Sequence, residues 1–319
     1  MTDAALPHKA VSNPPTAGLI RRALESDIFY SFRRSKLTMV AAVVTLLFFL
    51  LAIAAPLIAV QNPFDPSQLQ LMNSRIAPLW MADGQSPFLL GTDEQGRDVL
   101  SAILYGLRIS LVVGILGVVF SGVLGIALGL IAGYFGGVID TVIMRIADVQ
   151  LTFPAILIAL LINGIAISLF GNRLDAMSML VVLVLAIGLS FWVQYARTVR
   201  GSVMVEKNKD YVAAAQLIGL PAPVIMLRHV LPNAMGPILV IATINLALAI
   251  ITEATLSFLG TGMPDTMPSL GTLIRIGNNY LFAGEWWIVA FPGIALAALV
   301  LSVNLLGDWL RDALNPKLR

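Results

Sequence analysis

Lys207-Asn-Lys-Asp-Tyr-Val-Ala-Ala-Ala-Gln-Leu-Ile-Gly-Leu-Pro-Ala-Pro-Val-Ile-Met-Leu-Arg-His-Val-Leu-Pro-Asn233 is the longest basic, turn-punctuated segment lying between strongly apolar runs. Asn208 or Asp210 suits a helix N-cap. Tyr211 to Ile218 then has helical character, and Val212 and Ala213 to Ala215 fall within it. Gly219 is placed to end that helix as a C′ residue, with Pro221 where a helix cannot continue. A second short helix is expected from Pro223 to Val230, broken by Pro232. Helices this short are marginal alone and need a surface to pack on. The three alanines allow close approach, and Tyr211, Ala215 and Ile218 form a stripe at i, i+4, i+7. Taken alone, this is an ordinary loop between two membrane spans.

The composition makes the flanking runs membrane spans. Of 319 residues, 58% are hydrophobic and only 12% charged, with mean hydropathy +0.88. Soluble domains carry about 25% charged residues. The chain has no cysteine, which excludes disulfides and thiolate chemistry. Its two histidines, His8 and His229, are too few for a histidine metal site or a catalytic triad. No phosphate-binding Gly-x-x-x-x-Gly-Lys-[Ser/Thr] loop occurs, and no basic aromatic patch suggests nucleic acid.

Residues 1–36 form a polar tail, with a short surface helix possible over Gly18 to Phe32. A first span is expected at 37–60, followed by spans at about 108–133, 138–163, 178–199, 234–257 and 287–307. Six spans place both termini (the tail at 308–319 included) and the 200–233 loop on one side. That side carries most basic residues outside the spans, so it is expected to be cytosolic. The opposite side has only Arg75, Arg97, Arg108, Arg173 and Arg275.

The first external loop, 61–107, contains Gly91-Thr92-Asp93-Glu94-Gln95-Gly96-Arg97-Asp98-Val99-Leu100-Ser101. Thr92 with Gln95 reads as a capping box for an amphipathic helix. The carboxylates lack EF-hand spacing, so calcium is rejected. Gly125, Gly129 and Gly133 give the second span a small-residue face suited to internal packing. In the third span, Arg145 and Asp148 sit at i, i+3, where they are expected to pair, and Pro154 is expected to kink the helix. Gln194, Tyr195, Arg197 and Arg200 are expected to anchor the end of the fourth span. The fifth span holds Asn245 and Glu253. An intramembrane acid is by default a functional candidate, with a structural hydrogen-bond acceptor as the alternative. Trp286 and Trp287 suit a membrane interface.

The 207–233 stretch resembles the coupling loop of permease subunits of ATP-binding-cassette (ABC) importers. Ala214-Ala215, Gly219 and Leu231-Pro232 match at the right spacing, while Ala213 replaces the usual Glu and His229 the usual Ile. Asp210-Tyr211-Val212 together with Arg228-His229-x-Leu-Pro232 looks like the dipeptide, oligopeptide and nickel branch. The Thr92-Asp93-x-x-Gly96-Arg97-Asp98 stretch, Glu253 to Gly260 and the C-terminal Asn304 to Lys317 resemble that branch as well, with Leu270 in place of its usual Trp.

The resemblance implies an all-α polytopic protein with six transmembrane helices and the type I ABC importer permease fold, its core at 108–307. It implies transport of di- or oligopeptides across the bacterial cytoplasmic membrane, with nickel or other small solutes as alternatives. Expected partners are a second, B-type permease subunit, two ATPase subunits or domains that carry ATP and Mg, an extracytoplasmic substrate-binding protein, and membrane lipid. The chain itself is expected to bind no cofactor and no metal and to have no ATPase site. Asp210 to Gly219, with Arg228, His229 and Pro232, would form the coupling segment. A rival reading, a secondary transporter driven by an ion gradient, would need protonatable groups near the bilayer midplane. Arg145, Asp148 and Glu253 are few and lie towards the ends of their spans.

Overall fold

A computed structural model describes residues 32–171 and 175–314. The expected surface helix before Phe32, and Asn315, Lys317 and Arg319 of the tail, lie outside the described residues. Among the described residues, nine helices carry the architecture: α1 Lys36–Ile58, α2 Val99–Phe135, α3 Gly137–Leu151, α4 Ala155–Phe170, α5 Ala176–Glu206, α6 Asp210–Leu217, α7 Ala222–Phe258, α8 Leu270–Asn278 and α9 Trp287–Leu314. No β-strand occurs among the described residues.

Five of these helices, α1, α2, α5, α7 and α9, are long and apolar enough to cross a membrane. α1 has 23 residues, about 35 Å at 1.5 Å per residue. Ser35 caps it by accepting from the Thr38 amide. It is apolar on every side and only Thr38, Ala41, Ala52 and Ala55 are buried, as suits a helix solvated by lipid.

The third span is not one kinked helix. α3 and α4 meet at 93° across Thr152 to Pro154. Pro154 stands at the N-cap of α4. Its ring denies residue 154 an amide donor and disfavours helix at Phe153, so the chain breaks there.

The central seam is α2 against α5. A side chain grown at Gly125 would meet the Trp192 carbonyl at 2.4 Å, one at Gly129 the Ala196 carbonyl at 2.6 Å, and one at Gly133 Val203 at 2.8 Å. The small-residue face does pack internally. α3 lies antiparallel beside α5 on a polar ladder. Arg200 grips Asp140 with both Nε and Nη2 (Nη2 to Oδ2, 2.6 Å). Arg197 pairs with Asp148. Trp192 Nε1 donates to Gln150 Oε1 at 2.7 Å. The expected Arg145–Asp148 pair is therefore corrected. Helical neighbours three apart compete with a facing helix, and Asp148 is taken by Arg197. Likewise, Arg197 and Arg200 do more than anchor the end of α5: they bind α3 to it.

α7 begins earlier than expected. Ala222 to Val224 runs into a π-helical stretch, Ile225–Val230, and on without interruption through Pro232. An α-helical proline clashes with the carbonyl four residues back. The wider π turn just before Pro232 relieves that clash, so the helix is re-registered rather than broken.

Candidate functional site

At the α2 C-terminal end, α5 leads into the short α6. Lys207 closes α5 and its Nζ donates to the Gly133 carbonyl at 2.8 Å. Neither Asn208 nor Asp210 caps α6. The cap position is Lys209, without a side-chain bond, and Asp210 sits in the first turn. There its carboxylate favours the positive end of the helix dipole without accepting a bond.

The C-terminus of α6 follows the expectation. Gly219 adopts φ +78°. Its amide bonds to the Gln216 carbonyl, and the Leu220 amide reaches back to Ala215. This is a Schellman closure, which calls for a left-handed residue at C′.

Val212 and Ala215 are buried under α6, against Ile225, Met226, Val230 and the α2 and α5 ends at Leu130, Val199 and Val203. Tyr211 is the brace. Its hydroxyl donates to Glu206 Oε2 at 2.7 Å and accepts from Asn233 Nδ2 at 3.3 Å, joining the end of α5 to α7 just past Pro232. Burial, and then the Glu206 carboxylate, push the Tyr211 phenol above its usual range, so it stays a donor.

The expected stripe of Tyr211, Ala215 and Ile218 is split. Ala215 faces in, whereas Ile218 is 76% exposed and Leu217 88%. The outward face is Asp210, Ala213, Ala214 and Leu217, at i, i+3, i+4, i+7, with Ile218 beyond. Leu227 and Arg228 on α7 are also exposed, and His229 is half-buried. The result is a small apolar ridge on a rigid, braced base.

At the other end of α2, the Thr92–Asp98 loop is a tight knot. The expected capping box at Thr92 and Gln95 does not form, and no helix starts between Thr92 and Asp98. Thr92 Oγ1 instead accepts from the Ile76 amide at 2.8 Å and donates to the Asn73 carbonyl, fixing an earlier part of the loop. Asp93 Oδ1 accepts from the Gln95 and Arg97 amides, and Oδ2 pairs with Arg97 Nε at 2.6 Å. Arg97, 1% exposed, also donates Nη1 to the Asp265 carbonyl at 2.8 Å. The Gly96 carbonyl accepts from Gln61 Nε2.

Asp98 is the true cap of α2, its Oδ2 accepting from the Ser101 amide and hydroxyl at 2.8 and 2.6 Å. Burial raises its carboxyl above the ordinary value, opposed by those two Ser101 bonds. A raised carboxyl contributes stability that is present below the unfolded pKa and lost as pH rises through the folded one. At neutral pH the buried charge is thus a burden. Asn caps as well as Asp does. Asp98→Asn is expected to match or exceed the parent thermal midpoint at pH 7 and to lose that advantage as the pH is lowered. Asp98→Ala should cost about 1 kcal/mol. A midpoint lowered by Asp98→Asn at pH 7 would refute the buried-charge account.

Glu253, fully buried, accepts from Ser110 Oγ at 2.7 Å and Ser257 Oγ at 2.8 Å. Ser110 in turn accepts from the Leu270 amide, and Ser257 from that of Met263. The acid therefore closes a node linking α2, α7, the following loop and α8. This is the hydrogen-bond acceptor role, on the half of α7 nearer Asp265. Asn245 is also fully buried, and neither its amide nitrogen nor its oxygen finds a partner among the described residues. Arg145 is exposed on α3, apart from these groups. The structure thus does not gather Arg145, Asp148, Asn245 and Glu253 into one site.

The described residues contain no cluster of His, Cys, Asp or Glu able to hold a metal ion. A family model for the binding-protein-dependent transport system inner membrane component matches residues 125–319, and one for the N-terminal TM domain of oligopeptide transport permease C matches 25–78. The chain is 37% identical to the dipeptide transport system permease protein DppC of Haemophilus influenzae, over 97% of this chain and all of that one. It is 39% identical to the DppC of Escherichia coli over 92% of this chain and 93% of that one. A chain of the MetNI methionine ABC transporter, solved in inward-facing conformations, shares the fold: TM-score 0.52 at 18% identity, covering 67% of this chain and 96% of that one. The chain belongs to the binding-protein-dependent ABC permease family.

In this permease, sequence reasoning missed α8. Ser269 caps it by accepting from the Thr272 amide, and Leu270, Leu273 and Ile276 are buried. The signal was present: a cap residue followed by apolar side chains at helical spacing. The permease also hides one of the two tryptophans expected at the interface. Trp287 is 6% exposed and its Nε1 donates to the Thr92 carbonyl, so it packs beneath the Thr92–Asp98 knot, while Trp286 stays at the surface.

Proposed function

We propose that this permease forms, with a second permease subunit, the membrane pathway for di- or oligopeptides, and that two ATPase subunits drive it by docking on α6. The named relatives support the peptide substrate. The observation that carries the docking is the ridge of Asp210, Ala213, Ala214, Leu217 and Ile218. It exposes two large apolar side chains beside two small ones on a helix braced from beneath by Val212, Ala215 and Tyr211. Small residues let a partner backbone approach, and the apolar pair supplies burial energy.

On this reading ATP and Mg bind the partner subunits, this chain does no ATP chemistry of its own, and an extracytoplasmic binding protein delivers the peptide at the Thr92 end. The basic residues near α6 support a cytosolic side for that end, and for both termini, in a bacterial cell. Nucleotide-driven movement of the ATPases would be passed through α6 and Tyr211 to the ends of α5 and α7 at once.

The test is co-purification of the candidate ATPases from membranes, with dipeptide-stimulated ATP hydrolysis measured in lipid. Leu217→Asp combined with Ile218→Asp is expected to reduce ATPase recovery at least about tenfold, since burying either charge costs more than 1.4 kcal/mol. Insertion of the permease should be unchanged, because both side chains are at the surface. Gly219→Pro is expected to leave some binding and abolish stimulation. Full ATPase recovery with the double variant would overturn the docking assignment. Stimulation by a small solute but by no peptide would overturn the substrate.

A further inference from the structure

Between α1 and α2 runs a groove of about 290 Å³, lined by Phe49, Ala52, Ile53, Leu111, Val112 and Ile115, with Arg108 among them. We propose that this groove is a binding site for one phospholipid of anionic headgroup, an acyl chain lying on the apolar wall and the phosphate held by Arg108.

The depth fits. The Val60 amide donates to Ser101 Oγ, so the C-terminal end of α1 and the N-terminal end of α2 lie at one level. Arg108 is nine residues beyond the start of α2, about 14 Å along the helix axis. An arginine at that depth in a bilayer must reach back towards the headgroups. Helical side chains lean towards their own N-terminus, and here the N-terminus of α2 is the end at the near surface. The stem of Arg108 is therefore directed along the groove to the level where lipid phosphates lie. The long apolar walls below it match acyl chain and nothing polar.

The charge fits too. Arg108 is exposed, and no carboxylate among the described residues pairs with it. The other described arginines of the Thr92 end are held: Arg75 by Glu285, Arg97 by Asp93 and Arg275 by Asp265, while Arg173 lies outside the described residues. Among the described residues of this end, Arg108 is thus the guanidinium left for a ligand, and phosphate is the oxyanion that a bilayer presents at that height. The exposed α1 wall, with Ile53 at 74%, leaves the groove open to lipid along its length.

The experiment uses the permease purified with its partner subunits and incubated with phosphatidylglycerol, bound lipid being counted by native mass spectrometry. Arg108→Gln should lower retained phosphatidylglycerol roughly fivefold or more, and Arg108→Lys should restore most of it. Ile53→Trp, which fills the groove without touching the charge, should lower it as well. Because Ile53 is at the surface, that variant keeps the test decisive if Arg108→Gln fails to fold. The chain has no cysteine, so a single cysteine at position 53 reports its neighbour cleanly. A cross-link there to a polypeptide would show a subunit interface in place of a lipid site. Equal phosphatidylglycerol on all variants would show unspecific lipid. Either result overturns the proposal. Lipid retention is read without transport, so the peptide-import reading stands or falls separately.

Discussion

Gly125→Leu is expected to prevent recovery of a monodisperse permease from detergent extracts, and Gly125→Ala to lower its thermal midpoint measurably. The reason is geometric. The first carbon of any side chain at 125 meets the Trp192 carbonyl at 2.4 Å, Tyr195 Cβ at 2.5 Å and the Ala196 amide nitrogen at 3.0 Å. These are backbone and Cβ atoms, so no rotamer change relieves the clash. α2 and α5 must separate along a seam that continues through Gly129 and Gly133.

Overpacking typically costs about 1–3 kcal/mol where side chains can adjust. Here the adjustment is a helix displacement, which also removes the close packing that holds helices together in lipid. Gly164→Leu is the control. It is helical as well, but nothing lies within 4 Å of its added carbon, and it should behave as the parent. Normal extraction and an unchanged midpoint for Gly125→Leu would mean that α2 and α5 do not pack in this register.

The second large effect is Arg97→Leu. The side chains of Arg97 and Asp93 are 1% and 3% exposed, so the substitution leaves an uncompensated carboxylate in the interior and strips the Asp265 carbonyl of its donor. Breaking a buried pair from one side costs about 3–5 kcal/mol. The thermal midpoint of the purified permease should fall sharply, and the loss should be insensitive to added salt. The Asp93→Asn/Arg97→Leu double variant should recover part of it, because the buried charge goes with its partner.

The Arg197–Asp148 pair offers the contrast. Both members are about half exposed, and an exposed pair is worth about 0–1 kcal/mol. Arg197→Gln should therefore move the midpoint little. If Arg97→Leu and Arg197→Gln shift it equally, the Thr92–Asp98 knot is not the buried clasp described here.

The sequence by itself determined the features that depend on neighbours along the chain. Apolar length marked the long helices α1, α2, α5, α7 and α9, but not the 93° break between α3 and α4. The Gly219-x-Pro221 signal stopped α6 at the place observed, because a left-handed C′ position is a local requirement. Gly125, Gly129 and Gly133 declared a face fit for close packing, since spacing by four places them on one side of a helix. The family motifs were legible for the same reason.

Only the tertiary structure decided partners. Asp148 chose Arg197, 49 positions away in the chain, over Arg145 three away, because a facing helix presents its guanidinium across the α3–α5 contact. Asp98 rather than Thr92 caps α2, because Thr92 is spent on the Ile76 amide and Asn73 carbonyl. Pro232 lies within a continuous α7, because the π turn before it supplies room that no local rule anticipates. Glu253 became a buried acceptor, because Ser110 arrives from α2. Which face of α6 turns outward was likewise set from beneath, by the pocket that takes Val212 and Ala215. Rules of local spacing reach three or four residues, whereas burial and hydrogen bonding are settled by whatever the fold brings within 3 Å.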